Sequence, residues 1–226
     1  MNDTQRVTIR VDHKTNVSGL WLTSPRARAA YVFGHGAGAG MEHASMATVA
    51  TELADLGIAT LRYQFPYMER GSKRPDAPEL CHATVRAAVA EAAQLASGLP
   101  LFAGGRSFGG RMTSQAQAAA PLAGVRGLAF LAFPLHPAGR PDTTRAEHLS
   151  AVNVPMLFLQ GTRDELAKME LLQPVIAKLG PLARLHLLPD ADHSFHVPAR
   201  TGKKDPEVRR EALQAMVKWV EEVVAG

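Results

Sequence analysis

The sequence predicts an α/β fold: one mostly parallel sheet of about eight strands, with helices on both faces. Three observations lead there. From residue 29 onward, apolar strand-like runs alternate with helical stretches. The later runs, 125–133 and 154–160, are continuously apolar rather than alternating, as in strands covered on both sides. No repeat, low-complexity tract or linker divides the chain, so 1–226 reads as a single domain with a sizeable core.

The elements follow in order. RVTIRV at 6–11 and SGLWLT at 18–23 read as two early strands, a hairpin or antiparallel edge. AAYVFG at 29–34 is a fully apolar strand that runs into HGAGAG at 35–40, then a helix over about 45–56. A strand at 58–63 ends in Gln64-Phe65-Pro66-Tyr67, and a polar, proline-rich loop spans 69–78. Asp76 and Glu79 form a capping-box-like start for a helix to about Ser97, ended by Gly98. Its apolar residues Cys81, Val85, Ala88, Ala92 and Leu95 recur at helical spacing, so Cys81 reads as a packed thiol. Next come a strand at 100–105 and a helix stopped by Pro121. The strand at 154–160 precedes a helix over 165–179, broken or kinked at Pro174. A last strand covers 184–188, and Asp205-Pro206 opens a helix with proline at its first position. Its inner stripe is Leu213, Met216, Val217, Val220 and Val224.

Composition narrows the function classes. Residues are 46% hydrophobic and 20% charged, which argues against disorder. The net charge of +4 is mild and its basic residues are scattered, so no nucleic-acid footprint is expected. The longest apolar run, 127–135, is far short of the roughly 20 residues that span a bilayer. The N-terminal MNDTQRVTIR lacks the apolar core of a signal peptide, and one cysteine leaves no internal disulfide. A cytoplasmic protein is the expectation; the oligomeric state is left open.

The chain is organised around LFAGGRSFGG at 101–110. Gly105-Arg106-Ser107-Phe108-Gly109 fits G-x-S-x-G, a strand-to-helix corner that holds a serine hydroxyl out where base and substrate both reach it. Gly105 and Gly109 flank the serine where side chains would clash, and glycine tolerates the backbone angles of such a corner. Two further groups fall just after strands: Asp164 in QGTRD and His193 in DADHSF. Parallel strand ends gather such residues at one mouth, where ligands of these sheets bind. There an imidazole takes the serine proton and returns it, while a carboxylate fixes the ring.

With HGAGAG at 35–40, RYQFPY at 62–67, GGRSFGGRM at 104–112, LQGTRDEL at 159–166 and DADHSF at 190–195, the chain resembles the α/β-hydrolases, close to the dienelactone-hydrolase-like group. It is especially similar to a branch that includes a testis-expressed hydrolase-like protein and a subunit of a histone acetyltransferase complex. The nucleophile of dienelactone hydrolases proper is cysteine, so their lactone chemistry does not carry over to Ser107. The resemblance implies a serine hydrolase for esters or thioesters of small molecules: Ser107 attacks, His193 is base then acid, Asp164 orients it. It needs no metal or organic cofactor. It also implies that HGAGAG supplies an oxyanion-hole N–H from Ala37, with Phe108 supplying the other. A dinucleotide loop does not fit, because Ala39 and Met41 stand where G-x-G-x-x-G needs glycine.

Other residues keep two readings. His196 is a rival base, set aside because His193 matches the family's Asp-His-Ser-Phe context. Asp192 reads as a loop-capping residue and Glu165 as the first turn of the next helix. Asp190, Asp192, His193 and His196 would suit a metal less well than the triad explains them. His35, Gly36, Tyr67, Arg106 and His136 are candidate substrate contacts, as are Glu42 and His43, and packing or surface roles fit as well. Arg106 and Arg111 are either ion-pair partners or groups that tune the site toward anions. Residues 134–153 leave no room for a large lid, so loops 134–149 and 64–78 are expected to wall an open site. The alternatives are a non-catalytic interaction protein on the same scaffold, or a peptidase or acyltransferase with the same nucleophile.

Overall fold

The computed structural model describes residues 3–226. β1 (Asp3–Arg10) and β2 (Asn16–Thr23) form an antiparallel hairpin. Its turn is closed by Asp12, whose Oδ1 accepts the Lys14 and Thr15 N–H groups at 2.7 and 2.8 Å. Pairing begins earlier than the apolar pattern suggests, because Asp3, Thr4 and Gln5 extend the ladder opposite Thr23, Leu22 and Trp21. The remaining strands are β3 (Ala29–Gly34), β4 (Ile58–Tyr63), β5 (Leu101–Arg106), β6 (Val125–Leu131), β7 (Met156–Gly161) and β8 (Ala183–Leu188). They join the hairpin in one eight-stranded sheet of order β1-β2-β4-β3-β5-β6-β7-β8. β2 meets β4 antiparallel, and every pairing from β4 to β8 is parallel. Every residue of β3, β4 and β7 is buried, including the polar Thr60, Arg62 and Gln160, as in strands covered on both faces.

Two helical layers cover the sheet. The helices α1 (Ala44–Asp55) and α6 (Asp205–Ala225) pack Met46, Val49, Leu53, Leu213, Met216 and Trp219 on one face, against Tyr31 and Phe33 of β3. The other face carries α3 (Pro78–Leu95) and α4 (Phe108–Ala119), packed against the alternate β3 residues Ala30 and Val32, and α5 (Met169–Leu179) beside β8. No described helix is long and apolar enough to cross a membrane.

Several expected boundaries move. Asp76 does not cap α3; the cap is Ala77 with Pro78 after it, and the Asp76 carboxylate pairs with Arg70. A short helix, α2 (Pro66–Glu69), replaces the irregular end expected after β4. β6 stops at Leu131, since Ala132 turns the chain with φ +58°. α5 begins at Met169, so Glu165 lies outside it, in a turn where the Asp164 carboxylate accepts the Leu166 N–H at 2.8 Å. The helix runs on through Pro174, without that residue's own backbone donor. In α6 the first position is Asp205 and proline follows it, and Val224 is exposed rather than part of the buried stripe.

Candidate active site

β5 delivers the chain to Ser107 at the carboxyl end of the sheet, and α4 leaves immediately. Ser107 itself carries the strain of the corner, with φ +50° and ψ −114°. Its N–H is tied to the Leu131 carbonyl at 3.0 Å and its carbonyl accepts the Arg111 N–H at 3.1 Å. The flanking glycines serve space rather than angle. A Cβ on Gly105 would lie 2.5 Å from the Gly34 oxygen, and one on Gly109 would lie 2.3 Å from the Gly34 carbonyl carbon. β3 and α4 therefore touch backbone to backbone beside the serine.

Three side chains from three strand ends meet there in one hydrogen-bonded line. His193 Nε2 lies 2.8 Å from Ser107 Oγ, and its Nδ1 lies 2.7 Å from Asp164 Oδ2. A carboxylate only accepts, so Nδ1 carries the ring proton and Nε2 faces the hydroxyl as the acceptor. The Asp164 side chain is fully buried. Besides His193 it is held by the Leu166 N–H and by Gln160 Nε2 at 2.5 Å. Gln160 is fixed in turn, its Oε1 accepting the Phe133 N–H at 2.9 Å. Sequence reasoning passed over Gln160, although a lone amide at the end of the apolar run VPMLFLQ was a readable signal. The histidine loop is anchored by Arg106, which donates to the His193 carbonyl at 3.1 Å while its guanidinium stands 5.5 Å over the Phe195 ring.

Ser107 opens onto a cleft of about 350 Å³, lined also by Ala37, Phe108, Arg111, Met112, Pro134, Arg145 and Leu166, and by Pro75, Asp76 and Pro78. Residues from both expected wall loops are thus present. Phe108 is the first residue of α4, where an N–H has no acceptor within its own helix. Ala37 sits exposed in the loop after β3, oriented by the Tyr67 hydroxyl, which donates to its carbonyl at 2.8 Å.

The expected substrate contacts turn out otherwise. His35 is fully buried and spans the backbone: Nε2 accepts the Phe65 N–H at 3.1 Å, so Nδ1 donates to the Gly36 carbonyl at 2.8 Å. Burial pushes its pKa down to about 4. His136, also buried, repeats the arrangement between Lys168 and Pro137. Tyr67 and Gly36 lie beneath the Ala37 loop, and Arg106 is engaged with the His193 carbonyl. None of the five lines the cleft. Glu42 pairs with Arg6 at the surface, and His43 caps α1 by accepting the Ser45 N–H at 3.2 Å. His196 faces Asp205 instead of the serine, at 2.9 Å. Asp192 caps its loop, accepting the Ser194 and His196 N–H groups at 2.7 and 3.0 Å. Among the described residues no group of three or more His, Cys, Asp or Glu side chains is placed to hold a metal ion.

A family model described as an alpha/beta hydrolase domain matches residues 27–221. Among solved structures, the chain is similar to a dienelactone hydrolase from Anabaena variabilis, at 19% identity and TM-score 0.73, covering 98% of this chain and 96% of that one. It is similar to an α/β serine hydrolase without lid from Xanthomonas campestris, at 21% identity and TM-score 0.71, covering 96% and 95%. It is also similar to Est1E from Butyrivibrio proteoclasticus, solved with ferulic acid bound, at 16% identity and TM-score 0.77, covering 97% and 100%. At these identities the likeness to the solved structures speaks for the fold.

Proposed function

The chain belongs to the α/β-hydrolase domain family, and from that premise we propose that it is a serine hydrolase cleaving a carboxylic ester or thioester of a small molecule through an acyl-serine intermediate. One observation carries the reading: the unbroken line Ser107–His193–Asp164, with contacts of 2.8 and 2.7 Å, ending at a cleft. A hydroxyl bonded to an imidazole whose far nitrogen is held by a buried carboxylate is the arrangement that activates a weak nucleophile.

The steps follow from the geometry. Ser107 Oγ attacks the carbonyl carbon as its proton passes to His193 Nε2. Asp164 stabilises the imidazolium and keeps the ring oriented. The Phe108 and Ala37 N–H groups receive the oxyanion, a contribution of roughly 3 kcal/mol per donor. The intermediate collapses, and the departing alcohol or thiol takes the proton from Nε2. Water then attacks the acyl-serine by the same relay, which releases the acid and restores the hydroxyl.

Labelling with a fluorophosphonate tests this. The parent should gain one adduct by intact mass, and Ser107→Ala none, with an unchanged circular dichroism spectrum. Ser107→Ala should also lose hydrolysis of an activated ester. A folded parent that takes no adduct, or a variant that keeps the parent's rate, would overturn the reading.

A further inference from the structure

Among the described residues, the side chains of two arginines on the wall of the Ser107 cleft have no hydrogen-bond or ion-pair partner. Every other arginine that is at least partly buried has named acceptors. Arg62 donates to the Met41 carbonyl at 3.0 Å and Arg106 to the His193 carbonyl at 3.1 Å. Arg86 reaches the Ala116, Pro121 and Ala120 carbonyls, and Arg209 holds Glu52 at 2.8 Å. Arg111 and Arg145 are half-buried, line the same cleft, and among the described residues neither has a carboxylate within 4.0 Å. Arg111 Nε is buried with no hydrogen-bond partner. A guanidinium stays charged in a protein, and a desolvated cation without a counter-charge is costly.

Position makes the pair useful. Arg111 lies in the first turn of α4, four residues beyond Ser107, and both line the cleft. Its guanidinium stands 5.8 Å over the Phe108 ring, which orients the planar fork. Arg145 enters from the 3₁₀ segment Thr144–Ala151, across the same opening. Burial and the proximity of Arg145 both lower the Arg111 pKa, the signature of two like charges facing one space. The neighbouring acids do not close the gap. Asp76, which lines the same cleft, pairs through Oδ1 with Arg70, while its Oδ2 is buried without a hydrogen-bond partner and makes no ion pair with either cleft arginine. Asp142 lies near enough to Arg145 to favour its charge, but it makes no ion pair within 4.0 Å, and its Oδ1 accepts the Thr144 N–H at 2.9 Å. His148, also beside Arg111, is held neutral, with a pKa lowered to about 4 chiefly by burial.

We propose that Arg111 and Arg145 form a carboxylate-binding subsite in the wall of the Ser107 cleft, and that the ester cleaved carries a carboxylate a few atoms from its scissile carbonyl. The second half rests on the serine-hydrolase reading; the anion site does not. A planar carboxylate matches a guanidinium fork in two parallel hydrogen bonds, which a neutral amide of the same length cannot reproduce.

The probes are glutarate and its neutral analogue glutaramide, titrated by calorimetry at low ionic strength. The parent should bind glutarate at least tenfold more tightly than glutaramide. Arg111→Gln and Arg145→Gln should each remove most of that preference, while Arg126→Gln, an exposed control on β6, retains it. Equal binding of the two probes by the parent, or full preference in both folded cleft variants, overturns the subsite. Hydrolysis gives the second arm. The ratio of kcat/KM for p-nitrophenyl hemiglutarate to that of its methyl ester should exceed ten and fall at least tenfold in either cleft variant. A fluorophosphonate adduct without glutarate preference sinks the subsite and leaves the hydrolase. Glutarate preference without an adduct does the reverse.

Discussion

Asp164 is the residue on which the site's electrostatics turn. Its buried carboxylate accepts from His193, Gln160 and the Leu166 N–H, three donors to one anion. Asp164→Asn keeps the shape but brings an NH₂ into a pocket already full of donors, so at least one bond must break or the ring must take the other tautomer. We expect kcat on an activated ester to fall by about 10⁴-fold, with fluorophosphonate labelling slowed in parallel and the circular dichroism spectrum unchanged. A variant within tenfold of the parent would show that Asp164 does not orient the base. That Ser107, Asp164 and His193 meet was legible because each follows a strand and parallel strand ends converge. Arg145 was not, since an arginine in a polar loop looks the same whether it faces water or a cleft. His35 and His136 stayed undecided between two readings for a related reason: a histidine after a strand serves equally as a pocket wall or a backbone strut. Only the N–H groups of Phe65 and Lys168, far away in the chain, decide it.

At the scale of the element, the corner between β5 and α4 works because two backbones come together without side chains between them. Gly109→Ala would place a Cβ 2.3 Å from both the carbonyl carbon and the oxygen of Gly34, and neither can move without shifting β3. A loss of about 3 kcal/mol is expected, at the upper end for overpacking. Gly38→Ala, with nothing within 4 Å of its added methyl and no positive φ, should change stability by less than about 0.5 kcal/mol. Urea midpoints of the two variants check the contrast, and similar midpoints would mean that β3 yields easily. The bounds of β3 could be read to the residue because it is apolar throughout, and those of β4, which holds Thr60 and Arg62, because Gly57 and Gln64 flank it. The starts of α3 and α5 could not. Arg70 draws Asp76 away from a capping role, and His136 accepts the Lys168 N–H just before α5 opens.

Across the whole molecule, strand alternation gave the sheet and its two helical layers, but not the order in which β4 sits outside β3. That order depends on how each crossover packs, which no local pattern records. The same distant packing sets the response to acid. His35 and His148 are both held neutral, with pKa values lowered to about 4, mainly by burial. The unfolded chain binds protons at these histidines near pH 6.5, before the folded chain does, so stability must fall as pH drops below 6.5 and level off near 4. For His35 alone the full span is on the order of 3 kcal/mol. His196 runs the other way: its bond to Asp205 raises its pKa, a contribution present below about pH 6.5 and lost as pH rises. That pair is solvent-exposed, so salt and water screen it and the buried histidines dominate. Most carboxylates remain ionised above pH 5, which leaves the window from 6.5 to 5 to the histidines. Urea midpoints at pH 7.5, 6.5, 5.5 and 5 should therefore decline steadily below 6.5. His35→Gln, although less stable at pH 7.5, should show a clearly shallower decline. A parent midpoint that stays level to pH 5 would mean that these rings accept protons in the folded protein as readily as in water, and that the struts they form are looser than their hydrogen bonds imply.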